Sequence, residues 1–100
     1  MKNLLIDWKG FIPSEETKAQ TENIFNSLKY ILPGESDLRV CIEKYNKSFE
    51  GHIVVRSSAG DFAAHTDNRD LFALCKSLRK NIKHQVFKHK DSRSEWSRAS

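Results

Sequence analysis

The amino-acid sequence predicts an α+β fold, a two-layer sandwich in the order β-α-β-β-β-α, with a four-stranded sheet and both helices on one of its faces. Three observations lead there. Apolar and polar residues alternate with period 2 in four short segments, as half-buried strands require. Two longer segments repeat apolar residues at helical spacing, so each has one stripe that must be buried against another layer. The chain has 100 residues, 38% hydrophobic and 30% charged, which fits one compact domain and leaves no room for a second.

The first strand spans Lys2 to Trp8, with Leu4, Ile6 and Trp8 on one face. Gly10 and Pro13 interrupt it. Ser14 is placed to cap the first helix, and Glu15 and Glu16 sit in the first turn, where the helix dipole favours negative charge. Thr17, Thr21, Ile24, Phe25, Leu28 and Ile31 recur at helical spacing until Pro33-Gly34 stops the helix. Asp37 to Tyr45 is the second strand, Gly51 to Ser57 the third and Phe62 to Thr66 the fourth. Asn46 to Ser48 is turn-like, and Ala59-Gly60-Asp61 makes a tight hairpin connection. Asp67 is the expected cap of the second helix, with Asp70 at the third helical position in a weak capping box. That helix should run from about Asn68 to His89, burying Leu71, Leu74, Cys75, Leu78, Ile82 and Val86. A crossover through the first helix sets the first two strands parallel, and short connections make the last three an antiparallel meander. Trp8 and Phe62 belong to the core by the same alternation. Residues 1–90 form the domain, and the Ser-rich residues 91–100 form a flexible polar tail.

Charge is distributed unevenly. Residues 1–60 carry eight Lys/Arg and eight Asp/Glu, a balance of zero. Residues 68–90 carry seven Lys/Arg against Asp70 alone, a net of +6. Such asymmetry points to a polyanion, nucleic acid before a membrane surface. On a helical wheel Arg69, Lys76, Arg79, Lys80, Lys83, His84 and Lys90 occupy the arc away from the apolar stripe. Lys76, Lys80 and Lys83 stand at i, i+4 and i+7, one turn apart. Arg69 and Arg79 add bidentate phosphate contacts that lysine cannot make. Phe87 falls among these cations and can stack on a base or ribose, or fold back under tail residues such as Trp96.

Other chemistries are poorly supported. No apolar run is long enough to span a bilayer, and the N-terminus lacks a secretory pattern. Cys41 and Cys75 are isolated, and read as buried thiols of a reducing, cytoplasmic compartment. His52 and His65 can meet across strands near Cys41, but the tight ligand pairs of a structural metal site are missing. There is no Gly-rich phosphate loop and no nucleophile motif, so neither an enzyme nor a cofactor is expected.

The segments "GDFAAHTDNRDLFALCKSL" and "NIKHQVFKHK", together with the element order, are similar to the short ribosome hibernation-promoting factor and ribosome-associated inhibitor family over residues 1–90. Asp70-Leu71-Phe72-Ala73 resembles the family's Asp-Met/Leu-Tyr-Ala stretch, and Lys88-His89-Lys90 its Lys-His-Lys ending. The resemblance implies a fold like a double-stranded-RNA-binding domain. It also implies docking on small-subunit rRNA near the tRNA and mRNA sites, with translation inhibited when growth slows or under stress. It adds Lys88, His89 and Lys90, and the first-helix Lys18 and Lys29, to the RNA-binding candidates. This chain departs from the family at Asn81 and His84, where Lys and Arg are usual. The expected partner is the small ribosomal subunit, with the protein monomeric when off it. Two other readings stay open: a protein-interaction module using an open sheet face with Arg39, Glu43, His52 and Arg56, and generic duplex-RNA binding away from ribosomes.

Overall fold

The computed structural model describes the backbone of residues 2–99 and the side chains of residues 3–89. Its elements are β1 (Lys2–Lys9), α1 (Glu15–Asn26), β2 (Ser36–Tyr45), β3 (Ser48–Ser57), β4 (Gly60–Asn68) and α2 (Leu71–Ala99), with a 3-10 turn at Ser27–Tyr30 continuing α1. The sheet order is β1-β2-β3-β4, parallel between β1 and β2 and antiparallel elsewhere. This is the α+β arrangement the alternation predicts.

Register aligns the apolar positions into rows across the sheet. Leu4, Leu38, Val55 and Phe62 form one row, and Ile6, Val40, Ile53 and Ala64 the next. α1 and its 3-10 turn cover these rows with Phe25 and Leu28, and α2 covers them with Leu74, Cys75, Leu78, Ile82 and Val86, all buried. Complete burial of each large aliphatic or aromatic side chain contributes about 1.5–3 kcal/mol. Phe62 is buried as expected, while Trp8 is half-buried and packs on the edge of the core. Trp8 also meets Phe11 edge-on at 5.5 Å between ring centroids, and Phe11 meets Phe49 at 5.3 Å.

Gly51 lets α2 approach the sheet closely. A Cβ at this position would lie 3.1 Å from Leu74 Cδ2 and 3.2 Å from Leu78 Cδ1. Larger side chains there would lift the helix off β3, where overpacking costs about 1–3 kcal/mol.

Three local expectations are corrected. β4 stays paired through Asn68, with Asp67 opposite Glu50, so Asp67 is held extended and cannot cap α2. Asp70 does so instead, its Oδ1 accepting from the Phe72 amide at 3.0 Å and its carbonyl from the Leu74 amide at 3.0 Å. The helical backbone also continues to Ala99 rather than ending near His89, since no Gly or Pro lies between Leu71 and Ala99 to stop it. Finally, Cys41 is only half-buried and lies on the opposite sheet face from buried Cys75, because alternation sends odd-numbered β2 residues away from the helices. The Ser14 cap is present, its Oγ accepting from the Thr17 amide at 3.1 Å.

Candidate nucleic-acid interface

α2 keeps its apolar stripe on the sheet, so its remaining circumference faces outward along the full described length. Lys76, Lys80 and Lys83 are exposed, and Phe87, 43% exposed, continues the same row at i+11 from Lys76. Arg79 is half-buried beside them, while His84 and Lys88 are exposed on the flank. Ion pairs among the described residues include Lys18 with Glu15 and His65 with Glu50, both away from α2. Among the described residues, no carboxylate pairs with Lys76, Lys80 or Lys83. Gln85 adds a polar tie to the sheet: its Nε2 donates to the Ala63 carbonyl of β4 at 2.7 Å and to Asn81 Oδ1 at 2.7 Å. A row of ammonium groups one turn apart on a docked helix matches what phosphate binding needs.

Not every candidate joins this row. His89 turns toward the sheet and packs edge-on against Phe62, with ring centroids 5.7 Å apart. Arg69 is exposed in the connection before α2. Lys18 and Lys29 stand beside β1, lining with Glu22 and Asn26 a shallow depression over Leu4 and Trp8. Lys18 is drawn to Glu15 at 3.4 Å. The side chains of Lys90 and Trp96 lie outside the described residues, as do those of the tail 91–100.

The other sheet face is uncovered. Arg39, His52 and Arg56 are exposed there, with Glu43 and Cys41 half-buried. His52 and His65 are direct register partners, and Cys41 is the next position in that row. Yet His65 Nε2 lies 2.6 Å from Glu50 Oε1, and among the described residues no three His, Cys, Asp or Glu side chains converge as a metal site would require. Tyr45 donates to Glu43 Oε2 at 2.8 Å, and that carboxylate holds the exposed phenol above its usual range.

Cys75 has the opposite surroundings. Burial pushes its thiol up to about 12, and a hydrogen bond with Thr21 only partly offsets this. It is a packing residue rather than a nucleophile. Among the described residues, no helix is long and apolar enough to cross a membrane.

Sequence reasoning finds the lysine row from spacing and charge alone. It misses Gln85 as a tie between α2 and β4, because a helix-to-strand bond between positions 22 apart leaves no local pattern. It also misses the cross-strand row Glu43, Glu50 and Asp67, which only register brings together.

No protein-family model and no curated protein matches the chain. Solved structures do. The Protein Y N-terminal domain of Thermus thermophilus is similar with a TM-score of 0.71 at 18% identity, covering 85% of this chain and 91% of that one. A ribosomal subunit interface protein from Coxiella burnetii is similar with a TM-score of 0.74 at 16% identity, covering 89% and 98%. The likeness establishes a shared fold, and the fold is the one that the family resemblance in the sequence implies.

Proposed function

We propose that this chain is a member of the short ribosome hibernation-promoting factor and ribosome-associated inhibitor family, and that it docks α2 on small-subunit rRNA near the tRNA and mRNA sites. Occupancy there blocks translation during slow growth or stress. The protein acts in the cytoplasm, is monomeric off the ribosome, and catalyses no reaction. The observation that carries this reading is the exposed row Lys76, Lys80 and Lys83, unpaired with any carboxylate among the described residues, on a helix docked against its sheet. The fold shared with a ribosomal subunit interface protein supports it. Lys76, Lys80 and Lys83 neutralise phosphates, Arg79 and Arg69 add forked contacts from the flanks, and Phe87 closes the row as a stacking surface. Lys88 and His84 contribute from the side. Shape, phosphate and 2′-OH groups are what such a surface reads, rather than base sequence.

Ribosome pelleting across a salt series tests this. Neutralising five phosphates makes affinity fall by nearly three orders of magnitude, roughly 500-fold, between 50 and 200 mM salt. K76E/K80E/K83E should abolish co-sedimentation while leaving the fold intact, since all three side chains face solvent. Undiminished pelleting of that variant would show that the surface is misassigned. Competition by excess duplex RNA separates ribosome docking from generic duplex binding.

A further inference from the structure

The open sheet face carries an excess of negative charge. Its outward positions hold six carboxylates, Asp7, Asp37, Glu43, Glu50, Asp61 and Asp67, against three cations, Lys9, Arg39 and Arg56. Three of the carboxylates occupy one register row, with Glu43 opposite Glu50 and Glu50 opposite Asp67. Side chains directly opposite stand about 5 Å apart, so like charges there repel and lower stability. Lys9 stands opposite Glu43 at the β1 end of this row, and the hydrogen bonds described in it run from Tyr45 to Glu43 and between His65 and Glu50, so Glu50 and Asp67 have no permanent positive charge directly opposite them. Alternating signs would remove the repulsion without disturbing the core, because these positions lie on the face turned away from the helices.

The molecule is thus polarised, with a cationic outward face on α2 and an anionic sheet face. Packed layers are separated by about 10 Å, comparable to the Debye length of about 8 Å at physiological salt. Each face therefore presents its own field to an approaching polyanion, and the helix charge does not cancel the sheet charge.

We propose that the open sheet face is a phosphate-excluding surface that confines RNA to the α2 side and so sets the orientation and selectivity of docking. This rests on the RNA-binding reading of α2. Glu43, Glu50 and Asp67 are its specificity-determining residues: they touch no RNA, and they raise the free energy of every pose in which the sheet meets phosphate. Without them, Arg39, Arg56 and Lys9 would suffice for weak, misoriented binding.

The test compares the full chain with E43Q/E50Q/D67N. Each is measured for binding to a short RNA duplex of arbitrary sequence at low salt and for pelleting with small ribosomal subunits. A photoreactive group placed at His52 reports contact with the sheet face. The variant should bind duplex about 3- to 10-fold more tightly than the parent, the gain expected when a repulsive field is removed, and should crosslink to RNA through position 52 where the parent does not. Its affinity for subunits should change less, so the subunit-to-duplex ratio falls. The single variant E43Q keeps the His65 contact of Glu50 and should shift the ratio in the same direction by a smaller factor. Equal duplex affinity for parent and both variants, with no crosslink at position 52, overturns the proposal while leaving α2 as the RNA surface. A parent that binds neither subunits nor duplex removes the α2 reading, and this one with it.

Discussion

α1 and α2 pack on the same face of the same sheet, and each buries one stripe, yet their outward surfaces have opposite character. α1 carries Glu15, Glu16 and Glu22 against Lys18 alone, and Lys18 leans on Glu15. α2 presents Lys76, Lys80 and Lys83 in a row with no carboxylate near them among the described residues. The buried stripes are interchangeable in purpose: both close the core. The outward arcs are not constrained by the fold, so their composition is free to serve a partner. Stability lives on the inner sides of both helices, and the proposed recognition surface on the outer side of one.

That contrast can be broken experimentally. The largest effect should come from K76E/K80E/K83E, which we expect to lower ribosome affinity more than 100-fold, since log affinity scales with the number of phosphates neutralised. K18E/K29E should lower it only a few-fold in the same pelleting assay. A comparable loss from the α1 pair would mean that both helices engage RNA. On the inner sides, Leu78→Ala in α2 should cost about 2–5 kcal/mol and Phe25→Ala in α1 about 3–5 kcal/mol, read from urea denaturation. Both residues are at most 1% exposed, so a loss below 1 kcal/mol at either would mean that its helix is loosely docked.

Smaller effects should follow from the caps. Ser14→Ala and Asp70→Ala remove hydrogen bonds to the Thr17 and Phe72 amides, and each should cost about 1 kcal/mol. Asp67→Ala should leave α2 intact, which distinguishes the observed cap from the expected one.

The smallest effect concerns the two thiols. Cys41 should react with a thiol reagent in the native protein, and Cys75 only on unfolding. The raised pKa of Cys75, about 12 against an ordinary 9.0, also couples to stability. Below pH 9 the thiol is protonated in both states, and its contribution is fully present. Between pH 9 and 12 only the unfolded chain ionises, so stability falls as pH rises. Cys75→Ala should flatten the alkaline decline of Tm relative to the parent.

Much of this fold is readable along the chain. Alternation in Leu38, Val40 and Ile42 identifies a strand and its buried face, and the Leu71-to-Val86 stripe identifies α2 and its outward arc. The candidate lysine row was readable to the same depth, because spacing alone aligns Lys76, Lys80 and Lys83. What the chain does not reveal is a neighbour that lies far away in sequence. His89 belongs to a Lys-His-Lys run, and its packing on Phe62 leaves no local signal. Asp67 has the composition of a cap but is claimed by the β3–β4 pairing.

The sequence by itself determined the element order, the inner and outer sides of each element, and the segment that holds the positive charge. These follow from periodicity and composition, which act over a few residues. Only the tertiary structure decided that Glu43, Glu50 and Asp67 stand side by side, that Gln85 ties α2 to β4, and that Lys18 and Lys29 lie apart from the lysine row. Hydrogen-bond register and the docking of helices on a sheet join residues that are distant in the chain, and such pairings are fixed by the packing of the whole core rather than by any local pattern.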